Sequence, residues 1–179
     1  MRYLYLPIFL FVISFTSCKE EVTTPVVEEI THTEVTTTTY YLIRHAEKDR
    51  SDPENRNPSL IEAGQTRANN WATVFKDVSF DMIYSTDYAR TQETATPTAT
   101  QKGLEIQSYN PRTLFDENFQ KTTEGKTVLV VGHSNTTPSF TNAILGEQKF
   151  EQIDDSNNGN LYIVTITGKE KSAQLLHIN

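Results

Sequence analysis

From about residue 40 onward the hydrophobic positions follow two rhythms in turn, one of period two and one of period 3.6. Tyr40-Tyr41-Leu42-Ile43 is an aromatic and β-branched run that stops at Arg44-His45-Ala46-Glu47, which predicts a buried strand with polar residues at its C-terminal end. A polar loop with two prolines, residues 49–58, follows. Ser59 with Glu62 three positions on reads as a capping box for a helix whose apolar side is Ala63, Ala68, Trp71, Ala72 and Phe75. Residues 80–86 read as a second strand, and Asp87 as the cap of a helix through Arg90, Thr94 and Ala95 that Pro97 ends or kinks. Residues 104–109 suit a short third strand and 113–121 a helical stretch. Residues 127–131 are strongly apolar and stop at Gly132-His133-Ser134-Asn135, after which Pro138 fits the first turn of another helix. Two more strands, 161–167 and 173–178, flank Gly168.

Strands alternating with helices imply βαβ crossovers, hence an α/β fold with a mostly parallel central sheet and helices on both faces. In such sheets ligands bind beyond the C-terminal ends of the strands. Three segments place polar residues there: Arg44-His45, residues 85–90, and Gly132-His133-Ser134.

Before residue 40 the pattern differs. Arg2, an apolar run over residues 3–15, then Thr16 and Ser17 ahead of the chain's one cysteine, Cys18, have the layout of an export signal. The run is too short for the roughly 20 residues that span a bilayer as a helix. The next twenty residues are mostly Thr, Val and Glu without a sustained period, as in a tether, with His32 solvated inside it. The expected organisation is therefore a signal over 1–17, a tether over 18–38 and a folded domain over 39–179. At 179 residues the chain has room for one such domain, and a formal charge of -7 opposes a polyanionic nucleic-acid partner. An anionic small ligand would need a local cluster of cations.

Arg44, Arg90, His45 and His133 are that cluster. They suit phosphate better than metal, because zinc wants three or four His, Cys or carboxylate ligands and arginines repel a dication. Guanidinium groups bind phosphoryl oxygens through paired N–H donors, and a neutral imidazole can attack phosphorus. Cationic neighbours should hold His45 neutral near pH 7.

These blocks resemble the histidine phosphatase superfamily, also called phosphoglycerate-mutase-like. They are Leu42-Ile43-Arg44-His45-Ala46-Glu47, Leu60-Ile61-Glu62-Ala63-Gly64, Tyr84-Ser85-Thr86 through Arg90-Thr91 to Thr94-Ala95, and Val130-Val131-Gly132-His133-Ser134. The resemblance implies that His45 accepts the phosphoryl group, that Arg44 and Arg90 hold it, and that His133 stabilises it in transfer. Ser134 either donates to phosphate or shapes the turn. The general acid used by many relatives has three candidates here, Glu93, Asp116 and Glu117. Glu47 and Lys48 stand either at the pocket rim or as an exposed ion pair, His177 reads as structural, and Trp71 as core.

The expected activity is hydrolysis of phosphomonoesters or phosphoramidates through a phosphohistidine on His45, without a metal cofactor. The compact chain looks most like the phosphohistidine-phosphatase branch, so the expected partner is a phosphorylated small molecule or a phosphohistidine protein. A phosphoglycerate-mutase-type phosphotransferase and a non-catalytic anion-binding envelope protein are the alternatives. Residues 15–18 also resemble a bacterial lipoprotein signal, which implies lipidation of Cys18, a membrane anchor there and a place in the cell envelope, at the outer membrane. Lys19-Glu20-Glu21 resembles the signal that sends some lipoproteins to the cell surface.

Overall fold

The computed structural model of the protein describes residues 35–178. The expected signal over 1–17, Cys18, His32 and the tether up to residue 34 lie outside the described residues. Within them the order is β1 (Thr37–Arg44), α1 (Glu62–Val74), β2 (Met82–Ser85), α2 (Ala89–Lys102), β3 (Ile106–Ser108), α3 (Glu117–Thr123), β4 (Thr127–Gly132), α4 (Thr136–Leu145), β5 (Asn160–Thr167) and β6 (Glu170–His177). Thr37 and Thr38, counted with the tether from sequence, already belong to β1, paired with Thr167 and Ile166 of β5. Among the described residues no helix is long and apolar enough to cross a membrane.

All six strands form one sheet in the order β3-β2-β4-β1-β5-β6. The β1–β4, β2–β4 and β2–β3 pairs are parallel, whereas β5 runs antiparallel to β1 and β6 antiparallel to β5. The apolar run at Val128-Leu129-Val130-Val131 lies at the centre and explains why both faces need covering. Val128 and Val130 pack with Leu42, Phe119 of α3 and Phe140 and Ile144 of α4. Leu129 and Val131 point the other way, against Trp71 and Phe75 of α1 and Ala95 and Ala99 of α2. Each fully buried side chain of this kind contributes about 1.5–3 kcal/mol. Helices therefore cover both faces, and every parallel strand sends its C-terminus to the same edge.

Local details depart from the sequence expectations where tertiary partners take over the caps. Ser59 does not cap α1; its carbonyl accepts from Asp49 N–H at 2.8 Å, and an antiparallel bridge joins Lys48 to Leu60. Asp87 does not cap α2 either. Its carboxylate accepts from Ser108 Oγ at 2.6 Å, while the N–H of Ala89 is met by Asn57 Oδ1 from the 49–58 loop at 2.8 Å. Pro97 does not end α2, which continues to Lys102. The helix buries Thr94, Ala95, Thr98 and Ala99 around it, and that packing outweighs the roughly 3 kcal/mol an interior proline costs.

Candidate active site

The C-terminal ends of β1 and β4 lie side by side, with Arg44 opposite Gly132, so the residues that follow each strand are forced together. His45 N–H donates to the Gly132 carbonyl at 2.9 Å. Its own carbonyl accepts from Asn158 Nδ2 at 2.7 Å, and the next N–H, of Ala46, donates to Thr94 Oγ1 at 2.9 Å. The peptide carrying His45 is thus clamped by β4, by α2 and by the loop ahead of β5.

Two glycines make this approach possible. A Cβ on Gly64 would stand 2.2 Å from the Glu47 carbonyl oxygen, so α1 can press on the segment after His45 only without a side chain there. A Cβ on Gly132 would meet the hydroxyls of Tyr109, Thr137 and Thr136 at 2.8, 2.9 and 3.0 Å. Thr136 Oγ1 also accepts from His133 N–H at 2.9 Å, which fixes the turn into α4.

Hydrogen bonds assign the ring protons. His45 is 4% exposed, and its Nδ1 donates to the Ala46 carbonyl at 2.7 Å, which leaves the Nε2 lone pair free. The His133 ring lies 5.5 Å from it, centroid to centroid. Arg90 Nη2 approaches His133 Nδ1 at 3.4 Å, so that nitrogen accepts, and His133 Nε2 donates to Thr86 Oγ1 at 2.9 Å. Thr86 in turn bonds Thr91 Oγ1, whose hydroxyl reaches the Thr86 and Tyr88 carbonyls. The Arg90 guanidinium also stacks 4.3 Å from the centre of the Tyr88 ring.

Both imidazoles are neutral at pH 7. Burial first, then the charges of Arg44 and Arg90, pushes His45 down to about 3, against the opposing pull of the Ala46 carbonyl. The same causes, burial leading and Lys48 adding its charge, bring His133 down to about 4. Burial rather than the cationic surround is the larger cause for both, which strand-end position alone did not show.

Arg44 is 1% exposed. Its Nη1 donates to the carbonyls of Asp154, Asp155 and Asn157 at 2.9, 3.1 and 2.9 Å, and its Nη2 to Asp155 Oδ1 at 2.7 Å. Asp155 also pairs with Arg50 Nη1 at 2.8 Å, and these two arginines hold its carboxyl down to about 2. What remains is the decisive feature: Arg44 Nε, Arg90 Nε and Arg90 Nη1 are buried with no hydrogen-bond partner. Buried guanidinium donors without acceptors are costly. Three beside two histidines define a site for a multidentate oxyanion such as a phosphoryl group.

The acid candidates from sequence are not brought here. Glu93 Oε2 accepts from Leu60 N–H at 2.7 Å and ties the loop before α1 to α2. Asp116 is the N-cap of α3, accepting from Phe119 N–H at 2.8 Å. Glu117 lines a separate pocket with Thr38 and Tyr40, near the opposite end of β1. The carboxyls that do line the pocket at His45, about 310 Å³ in volume, are Glu47 and Asp155, together with Lys48, Arg50, Ile61, Ser156 and Asn158. Glu47 pairs with Arg67 at 2.8 Å rather than with Lys48, and its Oε2 is buried without a partner. The Ser134 side chain makes no hydrogen bond within the described residues; its carbonyl accepts from Ile153 N–H at 2.9 Å and holds the incoming loop. His177 bonds Asn160 across β5 and β6 and is structural. Among the described residues no three His, Cys, Asp or Glu side chains converge to hold a metal ion. Sequence reasoning missed Asp155 and Asn158; the Asp/Asn-rich stretch 154–158 was its one signal.

The sequence points the same way: residues 40–110 fit the model of the histidine phosphatase superfamily (branch 1). No curated protein matches the chain. Among solved structures, a candidate phosphohistidine phosphatase, SixA, from Agrobacterium tumefaciens superposes with a TM-score of 0.60 at 22% identity, over 79% of this chain and 99% of that one. Phosphoglycerate mutase from Bacillus anthracis gives 0.58 at 16% identity over 79% and 93%. A phosphoserine phosphatase from Entamoeba histolytica, solved with 3-phosphoglyceric acid, gives 0.56 at 21% identity over 79% and 96%. At these identities the likeness is one of fold, and the family match supports a phosphatase.

Proposed function

We propose that the protein hydrolyses phosphoramidates or phosphomonoesters through a covalent phosphohistidine on His45. The observation that carries this reading is the nucleophile's arrangement: a neutral imidazole with Nδ1 committed to a carbonyl and Nε2 unbonded, beside three buried guanidinium N–H groups that lack acceptors. Nε2 attacks phosphorus, the bond from phosphorus to the leaving atom breaks, and the leaving group departs with its electron pair and takes up a proton. Charge on the equatorial oxygens is met by Arg44 and Arg90. Water then attacks phosphorus and the bond to Nε2 breaks, its electron pair returning to the imidazole, so that inorganic phosphate is released and neutral His45 restored. His133 is held by Thr86 and Arg90 against the same centre.

Proton supply narrows the substrate. Asp155, held down to about 2, is ionised at neutral pH and cannot donate. Phosphoramidates, whose leaving nitrogen is readily protonated, and esters of acidic alcohols need no such donor.

The test is hydrolysis of a phosphohistidine peptide, p-nitrophenyl phosphate and several sugar phosphates by the full chain and its His45→Ala variant, with release of inorganic phosphate as the readout. Turnover that vanishes in the variant supports the reading, and undiminished turnover overturns it. Phosphoryl transfer to a second substrate without phosphate release would mark a mutase. Binding without turnover by the native chain would mark an anion-binding protein. From the signal-like layout of residues 1–18 we further propose that the domain is tethered at the cell envelope by lipid on Cys18; incorporation of labelled fatty acid that is lost in Cys18→Ser checks it.

A further inference from the structure

The two guanidinium groups of the phosphoryl site are held in different ways. The Nη atoms of Arg44 make four hydrogen bonds, so its plane is fixed and the unbonded Nε is aimed by the rest of the group. Arg90 has one, from Nη2 to His133 Nδ1 at 3.4 Å, which is long, and among the described residues no carboxylate pairs with it. Yet Arg90 supplies two of the three unbonded N–H groups that define the site. A guanidinium bonded at one nitrogen can turn about that contact, and donors that swing must be frozen when a ligand arrives, which weakens binding.

An aromatic ring supplies the missing restraint. The Arg90 Cζ lies 4.3 Å from the centre of the Tyr88 ring, well within the roughly 6 Å over which an aromatic face attracts a cation. The same ring stands perpendicular to that of His133, with centroids 5.1 Å apart. Residues two apart do not face each other on a helix. Tyr88 escapes that rule because it is the N-cap of α2, extended at φ -103° and ψ 141°, so its side chain can fold back over the first turn. Its backbone is pinned: the carbonyl accepts from the N–H groups of Thr91 and Gln92 at 3.1 and 3.0 Å and from Thr91 Oγ1 at 2.8 Å. The side chain is 40% exposed, and its hydroxyl makes no hydrogen bond among the described residues. Neither core packing nor the hydroxyl accounts for a tyrosine here; the ring contacts do.

We propose that Tyr88 is a positioning residue of the phosphoryl site, its ring face setting the plane of the Arg90 guanidinium and its flank steadying the His133 ring. It acts through Arg90, keeping Nε and Nη1 aimed at the oxygens of the transferring group. The role rests on the phosphatase reading, in which those oxygens are the acceptors that Arg90 lacks.

Steady-state hydrolysis of p-nitrophenyl phosphate and a phosphohistidine peptide by the full chain tests this. Tyr88→Phe keeps the ring face and should stay within about twofold of the native kcat/KM. Tyr88→Leu removes it and should lower kcat/KM by about 5- to 30-fold, the factor that a partly desolvated cation–π contact converts to. With 3,4,5-trifluorophenylalanine at position 88, close to phenylalanine in shape but with an electron-poor face, most of that loss should reappear, which a merely structural role would not produce. In an Arg90→Gln background the Tyr88→Leu step should cost no more than about twofold, because the cation it orients is gone. A loss of equal size in both backgrounds would assign Tyr88 to the fold of the α2 start and overturn the role. So would a Tyr88→Phe variant as impaired as Tyr88→Leu, or a trifluorinated protein as active as Tyr88→Phe. No turnover of either substrate by the native chain, with no binding of orthovanadate, would overturn the phosphatase reading itself, and the positioning role with it.

Discussion

Burying two neutral histidines should make the protein acid-sensitive by a calculable amount. In the unfolded chain a histidine titrates near 6.5, while His45 in the fold is held at about 3. Above pH 6.5 neither state is protonated and the group has no effect on stability. As the pH falls below 6.5 the unfolded chain takes up a proton that folded His45 refuses, so stability is lost progressively until about pH 3. Between pH 7 and pH 5 the loss from this one residue comes to about 2 kcal/mol. His133, held at about 4, contributes a similar loss over the same interval. Replacing His45 by Asn keeps an N–H donor for the Ala46 carbonyl and removes the titration. Urea unfolding of both proteins at pH 7 and pH 5 isolates the effect, because any cost of the substitution common to both pH values cancels. The variant should lose about 2 kcal/mol less than the native protein, or about 1 M in midpoint for a slope near 2 kcal/mol/M. Equal losses in the two proteins would refute the claim that His45 is buried in its neutral form.

Other outcomes follow from contacts already described. Gly64→Ala drives a methyl into the Glu47 carbonyl, which as backbone cannot yield, and should cost about 1–3 kcal/mol in thermal or urea unfolding together with much of the activity. Arg90→Lys keeps the charge and forfeits the fork of donors at the phosphoryl site; kcat/KM for hydrolysis should fall by roughly 10- to 150-fold, equivalent to about 1.5–3 kcal/mol. Excess EDTA should leave hydrolysis unchanged, since the proposed course uses guanidinium groups where a dication would otherwise bind; complete loss of turnover would count against it.

The sheet and its polar C-terminal edge were legible because burial on both faces leaves long apolar runs, and such runs stop where the chain meets solvent or ligand. Arg44, His45 and His133 could be read off because each stands at such a stop, and Arg90 because it lies in the first turn of α2 just beyond another; the structure gathers all four. The caps were misread because Ser59, Asp87 and Asn57 satisfy the same local rules, and only the folded chain decides which carboxamide or carboxylate reaches which N–H. The placing of Glu93 and Asp116 went the same way: each had a backbone donor to meet, and neither donor is visible in one dimension. Asp155 and Asn158 sit in a polar stretch with no period, so nothing marked them as the anchor of Arg44 and the clamp on His45.

Because β5 runs antiparallel to β1, its first residues return to the end of the sheet where β1 finishes, and the segment from Asp154 to Asn158 is delivered there by topology. Arg44 is oriented by carbonyls 110 to 113 positions further along the chain. Contacts of such separation carry a large closure entropy and form late. A chain emerging from the ribosome therefore exposes His45 long before its guanidinium neighbour is set. The phosphate site becomes competent only once the segment through Asn158 has emerged and the C-terminal hairpin has docked, so an incomplete chain is chemically silent.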